Sequence, residues 1–131
     1  MNIIVSSSNK DKVKEIQDTL GNNYNLILKD QIGLGDIDVV EDGQTLEENS
    51  YKKAMAIFEK TKKATLADDT GLFVEALDMR PGVYSARYAG ENATYEENVD
   101  KMLNELKDIK DLNKRKAFFK TVVCFIDDQG K

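Results

Sequence analysis

An α/β fold is predicted for this chain by three features: short β-branched runs that alternate with helical patterns, two helix starts marked by capping boxes, and a long β-prone run at 116–126. A length of 131 residues suits one domain, 1–131, with a real but modest core. No repeat, low-complexity tract or Pro/Gly/Ser-rich linker divides it, and Pro81 is its only proline.

Ile3-Ile4-Val5 is a β-branched run ending in three serines, and Val13, Ile16 and Leu20 then fall on one helical face before Gly21. This strand, loop and helix put Ser6-Ser7-Ser8-Asn9 at a helix N-terminus, where unpaired N–H groups and the helix dipole favour an anion. Ser8 or Asn9 could equally serve as a plain helix cap, and the local pattern leaves both roles open. A second strand is expected near 25–29, followed by an acidic, glycine-bearing loop through Gly33, Asp36, Asp38, Glu41, Asp42 and Gly43.

Thr45 and Glu48 form a capping box that opens a helix with Leu46, Ala54, Ile57 and Phe58 toward a core. Lys53 lies within that helix, and a solvated lysine is its simplest local reading. Thr65-Leu66-Ala67 reads as a buried strand delivering Asp68 and Asp69, with a break at Gly71 before Leu72-Phe73-Val74. Met79-Arg80-Pro81-Gly82 has turn chemistry, and 83–88 is a connector. Thr94 and Glu97 make a second box, starting a helix with Val99, Met102, Leu103 and Leu106 inward. The run at 116–126 is apolar on both alternating faces past Phe118, which predicts a central strand covered on both sides.

The absence of histidine removes the commonest general base and excludes serine-histidine and cysteine-histidine mechanisms. Catalysis must then use carboxylates, lysines, hydroxyls or a hard metal held by oxygen. The single Cys124 sits in an apolar run and reads as a small buried hydrophobe, with no partner for an internal disulfide. A net charge of −5 opposes loose attraction to nucleic acid or an anionic membrane. No apolar stretch matches a signal h-region or a membrane span, so a soluble, cytoplasmic protein is expected.

The densest chemistry is Ala67-Asp68-Asp69-Thr70-Gly71-Leu72. Two adjacent acids after an apolar strand repel each other unless a cation, a lysine or water compensates them. A metal and lysines are both compatible with the residues present.

Four fragments in this order resemble the house-cleaning nucleoside triphosphate pyrophosphatases, the inosine triphosphate pyrophosphatase-like or dITP/XTP pyrophosphatase family. They are Ser7-Ser8-Asn9-Lys10-Asp11-Lys12, the stretch from Glu41-Asp42-Gly43 to Asn49 with Lys53, the Asp68-Asp69 segment, and Pro81-Gly82-Val83-Tyr84-Ser85-Ala86-Arg87-Tyr88-Ala89-Gly90. The resemblance implies a mixed, twisted β-sheet flanked by helices, a nucleotide cleft and a homodimer. It implies Mg2+-dependent hydrolysis of ITP, dITP and XTP to the monophosphate and pyrophosphate. Ser7, Ser8, Asn9, Lys12, Lys53 and Thr70 would contact the triphosphate, Glu41 and Asp69 would hold magnesium, and Asp69 would also be the base for the attacking water.

The family pattern continues with a Phe-Gly-Tyr-Asp-Pro-like segment, a further lysine and a Ser-His-Arg motif that select the purine. None occurs in this sequence. The expectation is therefore a C-terminally shortened family member whose purine preference does not carry over residue by residue. Two alternatives stay open: a non-catalytic nucleotide- or phosphate-binding remnant, and an interaction module that pairs through its last strand.

Overall fold

The computed structural model describes residues 1–131 apart from Ser8, Asp38 and Val40. Its main elements are β1 (Asn2–Val5), α1 (Lys10–Leu20), β2 (Asn25–Leu28), α2 (Leu46–Thr61), β3 (Thr65–Val74), β4 (Arg80–Gly82), α3 (Tyr95–Glu105) and β5 (Ala117–Ile126). The strands form one five-stranded sheet in the order β2-β1-β3-β4, with β5 also paired to β3. β1 runs parallel to β2 and to β3, whereas β4 runs antiparallel to β3, so the sheet is mixed as expected. Among the described residues no helix is long and apolar enough to cross a membrane.

The chain divides into two compact units, Met1–Asp69 with Val122–Lys131, and Thr70–Thr121. In the first, period-2 alternation sorts the apolar side chains between two layers. Ile3, Val5 and Leu66 pack with Val13 and Ala64 on the α1 side, and Ala67 packs with Ala54, Phe58 and Ile126 on the α2 side. Burial of Ile3, Ile4 and Val5 in succession is the signature of a strand covered on both faces. Each such side chain contributes about 1.5–3 kcal/mol by leaving water.

In the second unit Val74, Leu77 and Leu106 form a core with Leu72, Met102 and Ile109 around them. The capping box of α3 is present in full: Thr94 Oγ1 accepts from the Glu97 N–H and Glu97 Oε1 from the Thr94 N–H, both at 3.1 Å. Thr94→Ala should lower stability by about 1 kcal/mol. The check is a fall in the urea midpoint at unchanged slope, and an unmoved midpoint would remove the cap from the account.

Four sequence expectations are corrected. β3 is continuous through the acids, with no break at Gly71. A Cβ on Gly71 would lie 2.5 Å from the Gly82 carbonyl oxygen, so this glycine lets β4 approach. Arg80-Pro81-Gly82 is strand β4 and not the turn; the reversal falls on Asp78 and Met79, both at positive φ. At α3, Met102 is half-buried and the C-cap Leu106 buried, but Val99 and Leu103 are exposed, because the adjacent core reaches only one narrow stripe of the helix. β5 is not covered on both faces: Phe118, Phe119, Val123 and Phe125 are 47%, 74%, 57% and 43% exposed. Among the described residues β3 is its one pairing strand, and of its residues only Ile126 is fully buried.

Candidate functional site

Parallel pairing of β1 with β2 and β3 brings three chain segments to one edge of the first unit, the carboxyl ends of the strands where α/β sheets receive ligands. Ser6 and Ser7 leave β1, Lys29 leaves β2, and Asp68 and Asp69 follow the stretch of β3 that pairs with β1. Because successive strand residues face opposite ways, Asp68 shares the α1 side with Leu66 and Asp69 the α2 side with Ala67. Each acid meets a lysine from its own helix.

On the α1 side Lys12 Nζ lies 2.9 Å from Asp68 Oδ2, and that carboxylate side chain is only 6% exposed. Lys12 sits in the first turn of α1, whose N-cap is Asn9: its Oδ1 accepts from the Lys12 N–H at 3.1 Å. Ser7 Oγ in turn accepts from the Asn9 N–H, also at 3.1 Å. The capping role left open by the sequence is thus realised by Asn9, and it orients the loop that carries Ser7. Ser8 lies outside the described residues.

On the α2 side Lys53 Nζ lies 2.6 Å from Glu41 Oε1 and 3.6 Å from Asp69 Oδ1, and it donates to the Asp68 carbonyl oxygen at 3.1 Å. Its side chain is 23% exposed, so the solvated-lysine reading is corrected: adjacent acids and a strand carbonyl draw the ammonium in. Asp69 Oδ2 is buried with no hydrogen-bond partner among the described residues, an arrangement that costs free energy unless a ligand, proton or cation fills it.

Glu41 is on a loop, and α2 fastens that loop twice. Asn49, 1% exposed, accepts from the Gly43 N–H at 2.8 Å, and Lys53, four residues on and on the same helical face, reaches Glu41. A Cβ on Gly43 would stand 2.6 Å from Asn49 Oδ1, so only glycine allows this approach. The box at Thr45 and Glu48 is half as predicted: Thr45 Oγ1 accepts from the Glu48 N–H at 3.0 Å, but Glu48 Oε2 takes the Gln44 N–H at 2.8 Å. Glu48 therefore closes the turn before the helix.

Sequence reasoning did not assign Asp68 as the partner of Lys12, nor Asn49 as the loop anchor. The signal for the first was the doubled acid itself, whose need for compensation included lysine among its solutions. For the second it was a polar residue on the buried face of an amphipathic helix.

Thr70 belongs to the second unit, where its hydroxyl pairs with that of Thr121 at 2.8 Å. Tyr88, in that same unit, has its phenol pushed up to about 12 by burial and then by the Glu105 carboxylate, so it is protonated at neutral pH. Cys124 is half-buried beside Ala54 and Phe58, and burial pushes its thiol up, which keeps it an unreactive hydrophobe.

Among the described residues no three or more of His, Cys, Asp and Glu converge on a common metal point. Glu41 and Asp69 nonetheless share one ammonium, and one Asp69 oxygen is buried and unpartnered. Two hard carboxylates are the usual protein share of a magnesium site, the remaining positions going to phosphate and water. These residues fit such an ion.

The family model described as the Ham1 family matches residues 3–131. The chain is 44% identical to a dITP/XTP pyrophosphatase of Caldanaerobacter subterraneus subsp. tengcongensis, covering 98% of this chain and 64% of that protein. It is likewise 44% identical to a dITP/XTP pyrophosphatase of Clostridium perfringens, over 98% of this chain and 65% of the other. Among solved structures, the Ham1 protein of Staphylococcus aureus superimposes with a TM-score of 0.82 at 36% identity, covering all of this chain (100%) and 66% of that one. A HAM1 protein from Coxiella burnetii gives 0.83 at 36% identity, over 95% and 62%. The chain thus spans a little under two thirds of the length of these relatives. With its mixed sheet, its lysine-bridged acids and a match that runs from the first strand to the last residue, the chain belongs to the Ham1 family.

Proposed function

We propose that this chain carries the phosphate and metal half of a nucleoside triphosphate pyrophosphatase, acting with Mg2+ on ITP, dITP and XTP to release the monophosphate and pyrophosphate. The observation that carries the reading is the pairing of Glu41 and Asp69 through Lys53, with a buried Asp69 oxygen that has no hydrogen-bond partner among the described residues, at the carboxyl edge of parallel strands. The names of its relatives, dITP/XTP pyrophosphatase, support the substrate class.

Glu41 and Asp69 would hold the magnesium ion, which when bound neutralises phosphate charge and aligns the triphosphate. Asp69 takes a proton from the attacking water, and the bond between the α-phosphorus and the bridging oxygen breaks, the electron pair leaving with pyrophosphate. Lys12 and Lys53 offer ammonium donors to the phosphate oxygens, Ser7 and Asn9 shape the loop around them, and the family resemblance adds Ser8 and Thr70 as substrate contacts. The buried Asp68 limits the freedom of Lys12 before substrate arrives, which lowers the entropy lost on binding. The same reading makes the protein a cytoplasmic homodimer that cleanses the nucleotide pool.

Pyrophosphate release from ITP, GTP and a pyrimidine triphosphate, each with magnesium and with chelator, tests the reading. Metal-dependent release supports it; triphosphate binding with no release under any condition would move the chain to a non-catalytic phosphate-binding role. Lys12→Ala should raise KM about tenfold, the equivalent of one charge-assisted hydrogen bond. An unaltered KM would confine Lys12 to its ion pair with Asp68.

A second reading rests on β5. Its exposed Phe119, Val123 and Phe125 and its single pairing strand among the described residues suit strand addition by another chain. A mass that stays monomeric at high concentration would count against it.

A further inference from the structure

Lys29 has no part in the site described so far. It is the first residue after β2, on the same carboxyl edge as Ser6 and Asp69, and it is half-buried. A cavity of about 230 Å³ opens there within the first unit, lined by Ser6, Lys29, Ile37, Val39, Glu41 and Lys53. Lys29 therefore faces the same space as the lysine and the carboxylate that anchor the site.

Charge balance gives this position a task. Lys12 and Lys53 are each engaged by carboxylates, and against these two cations stand three anions, Asp68, Asp69 and Glu41. The paired groups thus carry one negative charge over, an unfavourable field for a triphosphate. Lys29 forms no ion pair among the described residues, and its ammonium is the additional positive charge lining the cavity. Ile37 and Val39 on the wall reduce local hydration, which strengthens any ammonium–phosphate contact made inside.

We propose that Lys29 is a third phosphate-binding lysine, donating to the polyphosphate of the substrate in this cavity. The assignment rests on the pyrophosphatase reading and deepens it: the residue acts on affinity, because among the described residues its charge is not tied to a carboxylate.

Calorimetric titration with inorganic tripolyphosphate in the presence of magnesium, at low and high salt, tests this without requiring turnover. Lys29→Gln should weaken binding about tenfold at low salt and flatten the salt dependence, with no change in melting temperature. Lys29→Arg should recover most of the affinity, since the charge is retained. If turnover is present, KM for the nucleotide should rise while kcat holds. Wild-type affinity in Lys29→Gln would overturn the assignment. So would a loss of affinity accompanied by a lower melting temperature and not recovered by arginine, which would make the residue structural. If the wild-type chain itself binds no tripolyphosphate, the pyrophosphatase reading falls and this assignment with it; the wild-type titration separates the two failures.

Discussion

Asp69→Asn is expected to reduce magnesium-dependent turnover by at least about a hundredfold while the protein still folds. The substitution keeps volume and removes a charge at a carboxylate whose Oδ2 is buried with no hydrogen-bond partner among the described residues. Lys53 stays anchored, because its 2.6 Å contact with Glu41 is shorter than its 3.6 Å approach to Asp69. The melting temperature should therefore move by less than about 4 °C, the equivalent of under 1 kcal/mol for a small domain. Activity within threefold of the original would take both the base and the metal-ligand role away from Asp69.

Lys53→Ala should be damaging in two ways. It removes the shared cation from Glu41 and Asp69 and the donor from the Asp68 carbonyl. Leaving partly buried acceptors uncompensated costs about 1–3 kcal/mol of stability, and turnover should fall by about two orders of magnitude with the lost phosphate charge. A distinguishing consequence is that magnesium should raise the melting temperature of this variant more than that of the unaltered chain, because the divalent ion replaces the missing positive charge between the carboxylates. An equal response to magnesium in both would show that Glu41 and Asp69 do not form one cation site.

The strands and helices were legible where local chemistry and burial agree. Ile3-Ile4-Val5 is apolar throughout because all three side chains are buried, and Thr94 with Glu97 marks a helix start that the structure realises bond for bond. Misreadings arose where a residue's usual preference was taken as its role. Gly71 reads as a breaker but admits the Gly82 carbonyl, and Pro81-Gly82 reads as a turn but pairs with Phe73 and Leu72. In both cases a long-range strand contact overrides the local preference.

The site was legible as residue types and less so as partnerships. The Asp68-Asp69 pair announced a need for compensation, but its division between two helices follows from strand parity combined with the placement of α1 and α2, which only the fold supplies. Lys53 looked solvated because a lysine in an amphipathic helix carries no sequence mark of what its ammonium reaches. Lys29 gave no signal at all: the cavity it lines is assembled from the residues that follow β1 and β2, the loop before α2, and α2 itself.

The most direct measurement of the central claim is phosphorus-31 spectroscopy of inosine triphosphate incubated with the chain, with magnesium and then with excess chelator. The account predicts inosine monophosphate and pyrophosphate in the first sample and intact triphosphate in the second. Inosine diphosphate with inorganic phosphate, or the same products undiminished by chelator, would contradict it.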